Sequence, residues 1–232
     1  MGEYWNCYWW CQEGEDHRSR NLMCQDRVAY KEKGSKQAIA IVDGVGETNC
    51  NPLAGEMIAN AVAEFLMEHF EDVLTEMNYH VGTILMKKIY DVVLFAMQQY
   101  GLPAKEFDFT LIGACIDHKT GKYCTVHLGD GAIVCGGEKP RVLSYPFHGM
   151  AENAKCRVLS DQVLKYLKFQ SGWIGDVEYL ALCTDGVYGK RDRIKTVFDK
   201  ICNLRMKTMM QTGVDDMGII MLEARHNSIV SW

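Results

Sequence analysis

The sequence predicts an α+β fold, a sandwich of antiparallel sheets covered by helices. Three observations point to it: a hairpin of two strands near the start, two amphipathic helices directly after it, and then a meander of short strands. Strands joined by tight turns pair antiparallel, whereas a parallel sheet needs a crossover between one strand and the next.

Taken in order, the aromatic segment YWNCYWW (residues 4–10) reads as a first strand packing on a sheet. Arg27 to Lys33 and Lys36 to Asp43 form a hairpin about Gly34-Ser35, and AIAIVD in its second arm is the unbroken apolar run of a strand buried on both faces. Asn51 can cap and Pro52 fits the first turn of a helix that carries Leu53, Met57, Ala61 and Phe65 to about residue 72. A second helix runs from about Val81 to Tyr100 on the stripe Leu85, Ile89, Val92 and Ala96, and Gly101 and Pro103 stop it. Phe109 to Ile116 and Lys122 to Leu128 flank the turn DHKTG, and Ala132 to Cys135 and Arg141 to Ser144 continue the meander. A loop from Tyr145 to about Arg157 precedes a short helix at 161–168, a buried strand at 179–184, a helical stretch at about 191–210 and a last strand at 218–223.

With 232 residues, 48% hydrophobic and 24% charged, the chain suits one domain over residues 1–232, with no repeat and no low-complexity linker. A net charge of -5 and a pI near 5.8 offer no broad basic field for a phosphate backbone, so nucleic acid is a poor partner. No basic-then-apolar leader stands at the N-terminus and no apolar run approaches the roughly 20 residues that span a bilayer, so a soluble, cytoplasmic protein is expected. Ten cysteines are scattered without CxxC units, which reads as reduced thiols. Cys115 and Cys183 sit in apolar strands as small hydrophobes, and Cys7, Cys11 and His17 lack the fourth ligand of a zinc site.

The chemistry lies at strand ends. Asp43 ends AIAIV, Asp130 follows TVHLG, Asp185 ends LALCT, and Asp215-Asp216 stand just before GIIML. Asp43, Asp130 and Asp185 also neighbour glycine, which lets the backbone turn sharply and lets a carbonyl approach an ion. One such dipeptide is a turn signal, but carboxylates gathered in one place repel one another unless a cation lies between them. An all-oxygen set selects magnesium, manganese or calcium.

In this order and spacing, IAIVDGVG, VHLGDGAIV, LALCTDGVYG and GVDDMGIIML resemble the acidic motifs of the type 2C metal-dependent protein phosphatases, and HRSRNLMCQDR resembles the first motif of their bacterial members. The resemblance spans residues 17–222 and implies a four-layer α-β-β-α sandwich. It also implies hydrolysis of phosphoserine and phosphothreonine in proteins phosphorylated by a serine/threonine kinase, with two Mn2+ or Mg2+ ions and a weaker third. Carried over, it makes Asp43 the carboxylate that bridges two metals and Gly44 a carbonyl ligand. Asp185 and Asp215 become ligands of the first metal, Asp130 with Asp185 the third site, and Asp26 the holder of a metal-bound water. Asp216 falls where the family often has asparagine and is read as support, the two exchanging roles if the register shifts by one.

Three positions depart from the family pattern. Val45 stands where many relatives carry a histidine, Gly189 where an Asp or Asn supports the third metal, and Asn21 where an arginine binds phosphate. Arg20 is the nearest replacement, Arg18 the next, and His17 matches a histidine of some bacterial relatives. A thiol nucleophile is disfavoured because Cys183 lies in a buried strand without a C-x5-R loop. An inactive phosphoprotein-binding module would keep the fold, but Asp43, Asp185 and Asp215 are all present. A two-metal nuclease would share the acids and lacks a basic stripe here.

Overall fold

The structure is a computed structural model, and it describes residues 4–44, 51–76, 78–137, 140–146, 157–189, 195–205 and 213–224. Strands β1 (Asn6–Gln12), β2 (Arg27–Lys33), β3 (Lys36–Gly44), β4 (Phe109–Asp117), β5 (Lys122–Leu128), β6 (Ala132–Gly136), β7 (Arg141–Ser144), β8 (Lys168–Trp173), β9 (Tyr179–Cys183) and β10 (Met217–Glu223) form two sheets. One has the order β1-β10-β9-β6-β7 and the other β2-β3-β4-β5-β8, with antiparallel pairing throughout. Helices α1 (Glu15–Ser19), α2 (Pro52–Glu68), α3 (Phe70–Thr75), α4 (Asn78–Tyr100), α5 (Val163–Tyr166) and α6 (Thr196–Arg205) complete the described elements, with 3-10 turns at Ala104–Phe107 and Asp185–Val187.

Alternation along the strands builds the layers, because successive side chains point to opposite faces. Ile39 and Ile41 of β3 with Ile112, Ala114 and Ile116 of β4 meet Ile133, Leu180, Leu182, Ile220 and Leu222 of the other sheet. The intervening residues Ala38, Ala40, Val42, Leu111 and Cys115 face outward and pack under α2, α3 and α4 through Ile58, Val62, Phe65, Phe70, Leu85 and Ile89. Ala132, Val134, Ala181, Ile219 and Met221 pack outward on Val197 and Ile201 of α6. The architecture is therefore α-β-β-α, four layers.

Some boundaries differ from the sequence reading. The first helix ends at Glu68, because His69 stacks on Phe65 with ring centroids 4.7 Å apart and binds Asp72 at 2.7 Å, and α3 starts in a new direction. The second begins at Asn78, where exposed Tyr79 gives no apolar signal. The short helix covers only Val163–Tyr166, and β8 follows it as an edge strand on which Phe169 alone is buried. The stretches 147–156, 191–194 and 206–210, and Val45, lie outside the described residues. Among the described residues no helix is long and apolar enough to cross a membrane.

Candidate metal centre

Register brings the acids together. Asp43 lies opposite Thr110 and Val42 opposite Arg27, so β3 ends where β2 and β4 begin. Leu111 faces Leu128, which sets the Gly129-Asp130-Gly131 turn at the same edge. In the other sheet Cys183 faces both Ala132 and Ile219, so β6 and β10 start where β9 stops. A hydrogen bond from Thr184 to Asp26 aligns the two edges. Asp26 and Asp43 thus come from one sheet, Asp185, Asp215 and Asp216 from the other, and Asp130 from the link between them.

Asp26 is fully buried. Its Oδ2 accepts the Thr184 hydroxyl at 2.7 Å, while Thr184 Oγ1 accepts the Gly218 N–H at 2.9 Å, so one hydroxyl ties the start of β2 to β9 and β10. Asp26 Oδ1 is buried with no hydrogen-bond partner among the described residues. A buried oxygen left unpaired costs stability, so a site that fills it gains. Arg27 Nη1 closes the turn that presents Asp26 by donating to the Cys24 and Asp26 carbonyls, each at 2.6 Å.

Asp216 serves a different purpose. It is buried, its Oδ1 accepts the Gly14 N–H at 2.9 Å, and its Oδ2 takes the Gln25 N–H at 2.5 Å and His17 Nδ1 at 2.8 Å. Both oxygens are occupied by protein donors, and they fasten α1 and the Cys24-Gln25-Asp26 turn to the start of β10. Its neighbour Asp215 is exposed and accepts the Asp216 N–H on Oδ1 at 2.9 Å. The 3-10 turn of Asp185 lies directly on this segment: a Cβ on Gly186 would stand 1.8 Å from the Asp216 carbonyl oxygen, so no side chain fits there.

The electrostatics are those of an acid cluster. Burial, with the charges of Asp26, Asp185, Asp130 and Asp215, holds the Asp43 carboxyl well above the usual range. Burial also raises Asp26, with Asp216, Asp185 and Asp215 adding to it. Asp185 is pushed up to about 7 by burial and by Asp130 and Asp215, and it shares a side-chain hydrogen bond with Asp43. Two carboxyls in such contact require a proton or a cation between them.

Asp130 is braced from two sides. Tyr188, just past the Asp185 turn, donates its hydroxyl to the Asp130 carbonyl. Buried His127 sits 3.0 Å from the Gly129 carbonyl through Nε2 and 2.6 Å from Ser144 Oγ through Nδ1. A carbonyl only accepts, so Nε2 carries the proton and Ser144 donates to Nδ1. Gly129 has φ +115, and a Cβ there would lie 2.4 Å from Thr110 Cβ.

The donor set fits a hard divalent cation: the candidate ligands are all oxygen, one buried Asp26 oxygen has no partner among the described residues, and Asp43 and Asp185 share a side-chain hydrogen bond. Among the described residues no group of three His, Cys, Asp or Glu side chains stands in position to hold an ion unaided. Magnesium needs no such cage, since it keeps several waters and is commonly held through one or two carboxylates. Arg18 and Arg20 are exposed on α1 and just after it, and among the described residues their side chains reach the Glu13 and Asp16 carbonyls, each at 3.4 Å. Gly44 is buried at the end of β3 opposite Phe109. Sequence reasoning passed over Thr184, Arg27, Tyr188 and His127, which touch the acids or the turns that carry them. Their only signal is adjacency to CQDR, VHLGDG and CTDGVY.

A family model described as protein phosphatase 2C matches residues 13–217. No curated protein matches the chain. Among solved structures, RsbX in complex with magnesium is 13% identical with a TM-score of 0.58, covering 97% of this chain and 98% of that one. The serine/threonine phosphatase Stp1 from Staphylococcus aureus is 13% identical with a TM-score of 0.56, covering 97% of each chain. A C. elegans sex determining protein is 11% identical with a TM-score of 0.66, covering 96% of this chain and 65% of that one. These likenesses are of fold.

Proposed function

The chain belongs to the protein phosphatase 2C family, and on that premise we propose that it hydrolyses phosphoserine and phosphothreonine in proteins with divalent cations held by its aspartates. The observation that carries the reading is the contact between Asp43 and Asp185, two acids from opposite sheets whose pKa values are both raised. In this reading Asp43 would serve both ions, Gly44 would offer its carbonyl to one of them, Asp185 and Asp215 would help hold the first, and Asp130 with Asp185 would hold a weaker third. Asp216 holds the frame, since its oxygens are already engaged.

Bound there, Mn2+ or Mg2+ would lower the pKa of a water and offset charge on the phosphoryl group. The chain's own groups do the positioning. Asp26 offers its unpaired Oδ1 to a water proton while Thr184 fixes its other oxygen. Arg20 is assigned to the phosphoryl oxygens, where a planar guanidinium donates two parallel hydrogen bonds. Cys183 takes no part: it is buried within β9, and burial pushes its thiol up to about 12. The test is turnover of p-nitrophenyl phosphate by purified protein, expected with manganese or magnesium and lost in excess chelator. Undiminished turnover in chelator overturns the reading.

A further inference from the structure

Beside the acid cluster, a cleft of about 300 Å³ opens between the turn that carries Asp26 and the start of α2. Gln25 forms its inner wall, and the same residue's N–H binds Asp216 while its chain neighbour is Asp26. The cleft therefore shares Gln25 with the turn that presents Asp26. We propose that it receives a residue flanking the phosphorylated serine or threonine, and that Glu106 selects a basic side chain there. This inference rests on the phosphatase reading above.

Its walls suit a long side chain with a charged tip. Leu22, Pro52 and Met23, the last 62% exposed, offer apolar surface along the sides. Glu106 is the one formal charge among the described residues that line the cleft. The α2 N-terminus would ordinarily favour an anion. Here the Leu53 N–H is held by Asn51 Oδ1 at 2.9 Å and Pro52 has none to give, so those donors are not on offer. Glu106 is also fixed by the fold: it lies in the 3-10 turn anchored by fully buried Phe107, and its N–H binds the Pro103 carbonyl at 2.9 Å. Lysine and arginine lay an aliphatic stem on apolar surface and keep the charge at the end, which matches this order of walls. A glutamate in the same place would meet like charge, and an apolar residue would leave the carboxylate facing a group unable to replace its lost water.

The experiment uses the full chain with manganese and a set of phosphoserine peptides otherwise of alanine, in which one arginine or one glutamate is stepped through the positions on either side of the phosphoserine. At one or more positions arginine should raise kcat/KM about two- to five-fold over alanine, the range open to a partly exposed ion pair, and high salt should erase the gain. Glu106→Gln should remove the preference and Glu106→Lys should transfer it to the glutamate peptide, while p-nitrophenyl phosphate, which has no flanking residue, is turned over as by wild type. Equal rates for arginine and alanine at every position, or a preference that survives in Glu106→Gln, overturn the proposal and leave the phosphatase reading intact. Failure to hydrolyse p-nitrophenyl phosphate and every peptide overturns that reading and this one with it.

Discussion

His17 and Asp216 are separated by 199 residues in sequence and by 2.8 Å in space. Their contact, with the Gly14 and Gln25 amides on the same carboxylate, holds α1 and the Cys24-Gln25-Asp26 turn at the start of β10. Removing the acceptor strands several buried donors at once. Asp216→Ala should cost about 3 kcal/mol or more in urea unfolding of the metal-free protein, and His17→Ala less. The double variant should lose less than the sum, because the two share one interaction.

The acids should not be equal in function. If the proposed site is right, Asp43→Ala and Asp215→Ala should abolish metal-dependent turnover, since each would remove a carboxylate from the main pair of ions. Asp130→Ala should retain activity at a raised metal requirement. Manganese titrations of turnover check the ranking, and an Asp130 variant as inactive as the Asp43 variant contradicts it.

Tyr188→Phe deletes the hydroxyl that braces the Asp130 carbonyl and leaves every carboxylate in place. Its manganese requirement should fall between those of wild type and Asp130→Ala, with a loss of about 1 kcal/mol in stability. A requirement equal to that of wild type would show that the brace does not reach the site.

Asp185 gives a pH signature. Its folded pKa, up to about 7, lies above the unfolded carboxyl value, so between the two the folded state binds more protons. The group's contribution is present in acid and lost as pH rises toward 7. In chelator, the Tm of wild type should therefore fall relative to Asp185→Asn across that window, and manganese should reverse the loss at neutral pH. The comparison with Asp185→Asn cancels His127, whose pKa of about 4, lowered by burial, acts with the opposite sign.

Arg20→Ala should raise KM for a phosphopeptide while leaving the manganese requirement and Tm nearly unchanged, because phosphate binding is lost and the metal ligands are not. Wild-type kinetics in both Arg20→Ala and Arg18→Ala would remove arginine from phosphate binding altogether.

Much of this was legible in the sequence, and for identifiable reasons. β3 and β9 are apolar runs that stop at an acid, so strand and site residue announce each other. Of the aromatics in YWNCYWW, Tyr8, Trp9 and Trp10 do lie in a strand, paired with β10, while Tyr4 and Trp5 precede it. What escaped depends on contacts between distant segments. Nothing local in KFQSGW marks an edge strand, since only Phe169 finds the core. Helical spacing runs unbroken past His69, whose stacking on Phe65 and bond to Asp72 turn the chain. The role of Thr184 exists only once Asp26 is beside it, across 158 residues.

The acids are mounted on separate sheets, and the gap between them is set by the isoleucine and leucine layer of Ile41, Ile112, Leu182 and Ile220. Like the jaws of a vice, the sheets fix how wide the grip is before anything enters it. An ion seated across the seam belongs to the fold as much as to the chemistry, and its binding free energy adds to the work of prying the sheets apart. The converse follows by reciprocity: a cavity cut into that apolar layer, with every carboxylate left in place, loosens the jaws and weakens the hold on the ion.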